Sequence, residues 1–332
     1  MNKRTFEEAF NTVFHNKITF DDFCSLELRC EINAFTTNDG RLIYRPSDKL
    51  KDCLRFIDRV VFRNLAKDTD VVHSFIKGRS TLTAVQAHSR NKYFFITDIC
   101  DFYPNVKSTD VAHILNRDKK LISISDIEDY IDLIVNLTSL AGGLPVGFPT
   151  SPQLSNAFLF EFDRELKKYC IDHDLVYTRY VDDIIISSKA FEKLSELTDL
   201  IQNLLKKFAS INLLVNKKKT HITHFNNKVK ILGLVILPNG RVTVDAKYKK
   251  KIELALYFYI NDRNKYNDFI AEVFHGDERS LFGLLHYAKS IDTAYIEKLQ
   301  RKYGVYVLRK LMDDKRDDSV SYTHLRAHET QH

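Results

Sequence analysis

Tryptophan is absent from the 332 residues, and glycine (10), proline (6), cysteine (5) and methionine (2) are all scarce. So little glycine and proline excludes a collagen-like or low-complexity chain. No run approaches the roughly 18 consecutive apolar residues of a membrane-crossing helix, so no membrane is expected. The opening MNKRTFEEAFNTVF carries acids and aromatics where a secretory leader needs an apolar block. The cysteines, Cys24, Cys30, Cys53, Cys100 and Cys170, are odd in number and scattered, with no CxxC and no zinc-ligand spacing to a histidine. That argues against a disulfide framework or zinc site and points to reduced thiols in the cytoplasm.

What is there is a globular composition: 44% apolar and 28% charged residues, enough to bury the core of one large or two ordinary domains. The net charge of +6 is unevenly placed. Between Lys206 and Lys251 there are twelve basic residues and one acid, Asp245. A patch of that kind neutralises phosphates and releases counterions, which favours nucleic acid. A solvated lysine face has the same composition, and charge alone does not separate the two.

Periodicity places helical pieces over 4–35, a turn at Asp39-Gly40, a short strand over 41–45, and a helix from Ser47, as its cap, to about Ala66. Tyr93 to Thr97 (YFFIT) reads as a buried strand. Helices are expected over 125–140, 153–172 and 190–208. Leu175 to Tyr180 and Ile184 to Ser188 are β-rich and joined by Val181-Asp182-Asp183, a hairpin pattern. A strand over 229–237 and another over 241–244 flank Pro238-Asn239-Gly240, a second hairpin signal. From Asp245 to about Met312 the pattern is helical. The final SYTHLRAHETQH continues no pattern and resembles translated vector sequence, so it is set apart from the fold.

Asp182 and Asp183 sit at a hairpin tip, where two adjacent carboxylates can reach one edge; a plain polar turn would use the same residues. Asp98 ends an otherwise apolar strand, where a carboxylate is costly to bury without a partner. Two readings follow. The three acids hold Mg2+ ions, which take a few carboxylates and complete their shell with substrate phosphates; or they are ion-paired, with Arg179 or Arg90 as partner.

Taken in order, the chain resembles a bacterial retron-type reverse transcriptase over most of residues 39–305. FFITDICDFYPNV resembles the family's first catalytic block, GLPVGFPTSPQLSNAF the block beneath the incoming nucleotide, and YTRYVDDIIISS the second catalytic block. INLLVNKKKT resembles the loop that follows, and VKILGLVILPNGRVTV the strand pair that grips the primer. Upstream, GRLIYRPSDKLK and VHSFIKGRSTLTAVQAH resemble the fingers. Each block is degenerate alone; the ordered set is specific.

The resemblance implies an α+β right-hand polymerase: fingers over 1–88, a palm over 89–245 with an inserted fingers segment at about 105–145, a helical thumb over 246–318, and a non-native or disordered tail over 319–332. It implies that Asp98, Asp182 and Asp183 bind two Mg2+ ions, which Mn2+ can replace, with the Ile99 carbonyl as an extra ligand. Arg41 matches the residue that holds the triphosphate, and Tyr103 the aromatic that excludes a 2′-hydroxyl. Pro145 and Val146 lie in the nucleotide bed. Lys219 matches the acid for pyrophosphate release, Arg79 a template or triphosphate contact, and Lys217, Lys218, Lys247, Lys249 and Lys250 phosphate contacts. The implied partners are dNTPs, a noncoding RNA template, its DNA product and an effector protein, in antiviral defence.

Three departures stand out: Val146 where relatives carry Gln, Ala84 in the Asn position of Asn-Ala-x-x-His with His88 kept, and ILGL at 231–234 in place of Val-Thr-Gly. The alternatives to templated synthesis are an untemplated or protein-primed DNA polymerase of a defence system and, from another class, a catalytically idle RNA-binding scaffold. The length after the thumb leaves no expected space for an RNase H or endonuclease domain.

Overall fold

The computed structural model describes residues 3–15, 17–37, 40–225 and 228–313. Asp39 of the expected turn, the last residues assigned to the thumb and the 319–332 tail lie outside them. The chain forms two compact units, Met1–Ser80 with Tyr93–Ile222, and Thr81–Lys92 with Thr223–His332.

In the first unit the expected helical stretch over 4–35 yields helices Phe6–Phe14 and Phe20–Cys24 and then, instead of helix, strand β1 (Ile32–Thr36). β1 pairs antiparallel with β2 (Leu42–Pro46), from Ile32 opposite Pro46 to Thr36 opposite Leu42. Four of its five side chains are exposed, so no alternation marked it as a strand; its partner strand makes it one. Helix Asp48–Val60 starts where Ser47 predicts, with the Ser47 hydroxyl accepting from the Leu50 N–H at 3.1 Å. It ends short of Ala66, in a 3-10 turn at Phe62–Asn64. Phenylalanines knit the N-terminal helices onto it: ring centroids lie 5.4 Å apart for Phe6–Phe56 and 4.9 Å for Phe10–Phe23. Such pairs add about 0.5–1.5 kcal/mol each beyond area burial.

The central sheet holds β3 (Tyr93–Thr97), β4 (Val176–Tyr180), β5 (Asp183–Ser188) and β6 (His221–His224), in the order β4-β5-β3-β6. β3 and β4 both run antiparallel to β5, with Thr97 opposite Ile184 and Tyr180 opposite Asp183. The three apolar strands appear as the sequence predicts, within a residue; β6, the polar string HITH, was not expected. Phe95, Tyr177, Ile184 and Ile186 join one buried core with Leu154, Phe162, Leu166 and Ile201 of the neighbouring helices. Phe94 and Ile185 alternate to the other face and are buried too, which is why these strands read as unbroken apolar runs. The helix expected over 153–172 divides at Leu159 into Ser151–Phe158 and Phe160–Asp172. Those expected over 125–140 and 190–208 are the shorter Ile131–Thr138 and Leu197–Phe208.

The second unit carries β7 (Val229–Ile231), β8 (Leu234–Ile236) and β9 (Val242–Val244), paired in that order. The single strand expected over 229–237 is thus two strands. Leu232 (φ 50°) and Gly233 (φ 75°) turn the chain between Ile231 and Leu234, the left-handed pair of a type I′ hairpin. The expected Pro238-Asn239-Gly240 hairpin is present, closed by the Leu237 N–H donating to the Arg241 carbonyl at 2.9 Å. Five helices follow: Ala246–Asn261, Arg263–Val273, Glu278–Ile291, Thr293–Tyr303 and Val305–Asp313. Asp245, Asp262, Asp277 and Asp292 cap the first four, each carboxylate accepting from a first-turn N–H. The architecture is α+β with antiparallel sheets. Among the described residues no helix is long and apolar enough to cross a membrane.

Candidate active site

Thr97 and Ile184 are the last pair of the β3–β5 ladder. Asp98 and Asp183 are the next residue beyond that pair on each strand, and Asp182 precedes Asp183 in the β4–β5 turn. Strand register therefore brings together three acids that are 84 or more positions apart or adjacent in sequence. Asp98 is 7% exposed. Its Oδ2 accepts from Lys219 Nζ at 2.8 Å, while its Oδ1 is buried with no hydrogen-bond partner.

Burial raises the Asp183 carboxyl to about 8, and the neighbouring charges of Asp182 and Asp98 add to the rise. Asp182 is raised chiefly by burial and then by Asp98, with Lys219 and Arg41 pulling the other way. Asp182 and Asp183 therefore keep their protons to higher pH than ordinary carboxylates do. Among the described residues no three His, Cys, Asp or Glu side chains are grouped so that they could hold a metal ion by themselves. The orphaned Asp98 oxygen and two carboxylates short of positive charge nevertheless fit a divalent ion whose remaining ligands come from substrate phosphates and water.

Two segments hold Lys219 and Ile99. Asn216 N–H donates to the Asp98 carbonyl and Cys100 N–H to the Leu214 carbonyl, both at 2.8 Å. They flank an antiparallel Ile99–Val215 bridge. In that pattern the carbonyl of Ile99 points away from the 214–216 strand. A turn from Asn216, with Thr220 Oγ1 2.7 Å from Thr97 Oγ1, then brings Lys219 back to Asp98. Lys217 and Lys218 are exposed on the same turn.

Arg41 leads into β2, and its charge acts on Asp182. Tyr103 lies in the short helix Phe102–Asn105 and shares a side-chain hydrogen bond with Ser155; burial holds its hydroxyl well above the usual range. The Tyr103 carbonyl accepts from Leu144 N–H at 3.1 Å, and the Val146 carbonyl from Tyr44 N–H at 2.9 Å. The loop with Pro145 and Val146 is thereby tied to the Tyr103 turn on one side and to β2 on the other. Pro145 also accepts from Ser151 Oγ at 2.7 Å. The charge of Arg79 bears on Asp70 and His73.

In the second unit Lys247, Lys249 and Lys250 begin helix Ala246–Asn261. Lys247 and Lys250 are exposed. Lys249 is packed inward, 4.7 Å over the Tyr295 ring and 3.9 Å from Asp292.

Arg179 is not the partner of the three acids: it is fully buried and ion-paired with Asp163. Asp163, Tyr177, Asn156 and Ser74 complete a polar network behind the turn that sequence reading did not single out. Their separations in the chain, and an arginine inside an apolar strand, gave no local signal.

Residues 39–236 match the family described as "Reverse transcriptase (RNA-dependent DNA polymerase)". The retron Ec73 reverse transcriptase of Escherichia coli is 30% identical over 272 residues, 79% of this chain and 83% of that protein. The retron Ec86 reverse transcriptase of Escherichia coli is 27% identical over 277 residues, 81% and 80% of the two chains. Among solved structures, apo telomerase from Candida tropicalis overlays with a TM-score of 0.46 at 14% identity, over 87% of this chain and 63% of that one. The foamy viral protease-reverse transcriptase overlays at 0.42 and 16%, over 85% and 43%. The chain thus spans about two thirds or less of those longer proteins. The chain belongs to the reverse transcriptase family, in its bacterial retron type. Its enzyme class is RNA-directed DNA polymerase, and reverse transcriptases work with divalent metal ions.

Proposed function

We propose that the chain extends a primer on a dedicated noncoding RNA by two-metal nucleotidyl transfer, with Asp98, Asp182 and Asp183 as the metal ligands. The observation that carries this reading is the convergence of three desolvated carboxylates, one with an unpartnered oxygen, at the end of two paired strands. The Ile99 carbonyl, turned away from its neighbouring strand, is a further ligand. Mg2+, or Mn2+ in its place, supplies Lewis-acid stabilisation of the attacking and leaving oxygens.

In the reaction the primer 3′-hydroxyl gives up its proton to solvent, its oxygen bonds to the α-phosphorus of the dNTP, the bond from that phosphorus to the oxygen bridging it to the β-phosphate breaks, and pyrophosphate leaves. Lys219, 2.8 Å from Asp98, is released to pyrophosphate and protonates it. Arg41 donates its planar fork to the triphosphate, and Arg79 makes a second template or triphosphate contact. Pro145 and Val146 form the bed of the nucleotide. The Tyr103 ring, held through Ser155, excludes a ribose 2′-hydroxyl. Lys217, Lys218, Lys247 and Lys250 meet backbone phosphates; Lys249, which the sequence groups with them, is instead committed to Tyr295 and Asp292. In this reading residues 1–88 are fingers, 89–245 palm and 246–318 thumb. In this reading the enzyme acts in the cytoplasm, in antiviral defence, beside an effector protein, as the sequence resemblance implies.

Asp182→Asn tests the reading. With Mg2+, dTTP and poly(rA) primed by oligo(dT), incorporation is expected to fall by about 10³-fold or more. Incorporation at the unaltered rate overturns the assignment. Sequencing DNA made by the full chain with its co-purified RNA identifies the template: a product complementary to one RNA is expected, and a product with no RNA counterpart overturns templated synthesis.

A further inference from the structure

A buried ion pair lies directly behind the turn that carries Asp182 and Asp183. Arg179 and Asp163 are both fully buried. Arg179 donates from Nε to Asp163 Oδ1 at 2.8 Å and from Nη2 to Oδ2 at 2.6 Å. Tyr177 donates its hydroxyl to Asp163 Oδ1 at 2.7 Å. This fork-to-fork pairing uses one edge of the guanidinium and leaves Nη1, which donates to the Val181 carbonyl at 2.7 Å and to Asn156 Oδ1 at 3.3 Å.

Val181 is the first residue of the two-residue turn and has φ 60°. That conformation is rare for a β-branched side chain and persists where surrounding structure enforces it. Both its backbone polar groups are held. Arg179 takes the carbonyl, and Ser74 Oγ accepts from the N–H at 2.9 Å. Ser74 is itself fixed, its carbonyl accepting from Asn156 Nδ2 at 3.0 Å. The main chain of Arg179 adds two further ties, its N–H to the Val71 carbonyl at 2.8 Å and its carbonyl from the His73 N–H at 2.9 Å.

We propose that Arg179, braced by Asp163, is a positioning residue that holds Val181 in its left-handed conformation and so sets the direction of the Asp182 and Asp183 carboxylates. The inference rests on the reading of those two acids as catalytic metal ligands. A pair serving the fold alone would tolerate neutral replacement of both partners; a clamp would not, because the Val181 carbonyl loses its donor.

The test is Arg179→Met with Asp163→Asn, which removes both charges and keeps an acceptor for Tyr177. It is made in the full chain with its co-purified RNA. On poly(rA)·oligo(dT) with dTTP, kcat is expected to fall by about 10²-fold, the usual scale for a misplaced catalytic group. The KM for dTTP should stay within about threefold, as nucleotide binding is untouched. Mn2+ affinity, read by electron paramagnetic resonance without nucleotide, is expected to weaken by about tenfold, with melting temperature close to that of the unaltered protein. Wild-type kcat and Mn2+ affinity in the folded double variant overturn the proposal. If the double variant does not fold, Ser74→Ala, which removes the acceptor of the Val181 N–H, takes its place. A drop in kcat of about tenfold at unchanged melting temperature is expected, and no drop overturns the proposal. Asp182→Asn, run alongside, separates the two levels. Full activity in that variant removes the catalytic reading itself, while its inactivity together with unimpaired clamp variants removes the positioning role alone.

Discussion

Asp183 is where burial and the proposed function oppose each other most sharply. Its carboxyl rises from 3.8 to about 8 because it is desolvated beside Asp182 and Asp98. The folded chain therefore keeps a proton that the unfolded chain releases above about pH 4, so metal-free stability falls as pH rises from about 4 to about 8 and is level beyond. Asp183→Asn removes that proton exchange. In chelator-treated protein the variant is expected to melt several degrees higher at pH 8, a gain of about 1–3 kcal/mol for relieving a buried charge, and to polymerise nothing. Thermal melts of both proteins from about pH 5 to about pH 8.5 check it; parallel curves would show that Asp183 does not titrate in this window. The acids were legible in sequence because each sits at a strand end or turn tip, positions that apolar patterning marks. Their neighbours were not. An arginine could be matched to the three acids or to any other carboxylate, and folding gives Arg179 to Asp163 and Lys219 to Asp98.

At the level of elements, the loop of residues 140–148 couples the residues proposed to contact the nucleotide. It lies against Tyr103 at one end, where a Cβ on Gly143 would come within 2.5 Å of the Pro104 carbonyl oxygen. At the other end Gly147 has φ 105°, and a Cβ there would run into the Tyr44 carbonyl oxygen of β2. Gly147→Ala must displace either the loop or the hairpin that carries Arg41. The expected outcome is a KM for dTTP raised by about tenfold, with kcat changed less, because nucleotide binding is lost before the chemical step. Steady-state kinetics on poly(rA)·oligo(dT) measure this, and an unchanged KM would separate the hairpin from nucleotide binding. The same comparison explains which elements sequence disclosed. β3, β4 and β5 were plain because both their faces are buried. β1, with four exposed residues, and β6, HITH, owe their strand state to their neighbours. The break at Leu232-Gly233 was hidden because Leu232, an ordinary strand residue, occupies a left-handed position.

On the scale of the whole molecule, a count of charge overstates what is available to a nucleic acid. The run from Lys206 to Lys251 has twelve basic residues, but folding commits several of them. Lys230 pairs with Asp245 at 2.8 Å, Arg241 with Asp292, and Lys249 lies over Tyr295 near Asp292. Ion pairs of this kind are invisible to local patterning, since Asp292 is 51 positions from Arg241. Lys217 and Lys218, exposed on the turn beside Lys219, differ in kind from Lys249. A phosphate contact releases about 0.9 counterion on a duplex, so replacing Lys217 and Lys218 together by alanine is expected to lower the salt slope of log K by about 1.8 for a primed poly(rA)·oligo(dT) duplex. Lys249→Ala is expected to act the other way round: the slope changes little, while the helix it pins loses about 0.5–1 kcal/mol with its cation–π contact. Binding isotherms from low to moderate salt, set beside thermal melts, distinguish a lysine that meets phosphate from one that holds the fold. An unaltered slope in the Lys217→Ala, Lys218→Ala variant would take both residues out of the nucleic-acid interface. A slope lowered equally by Lys249→Ala would mean that its contact with Asp292 opens when the duplex binds.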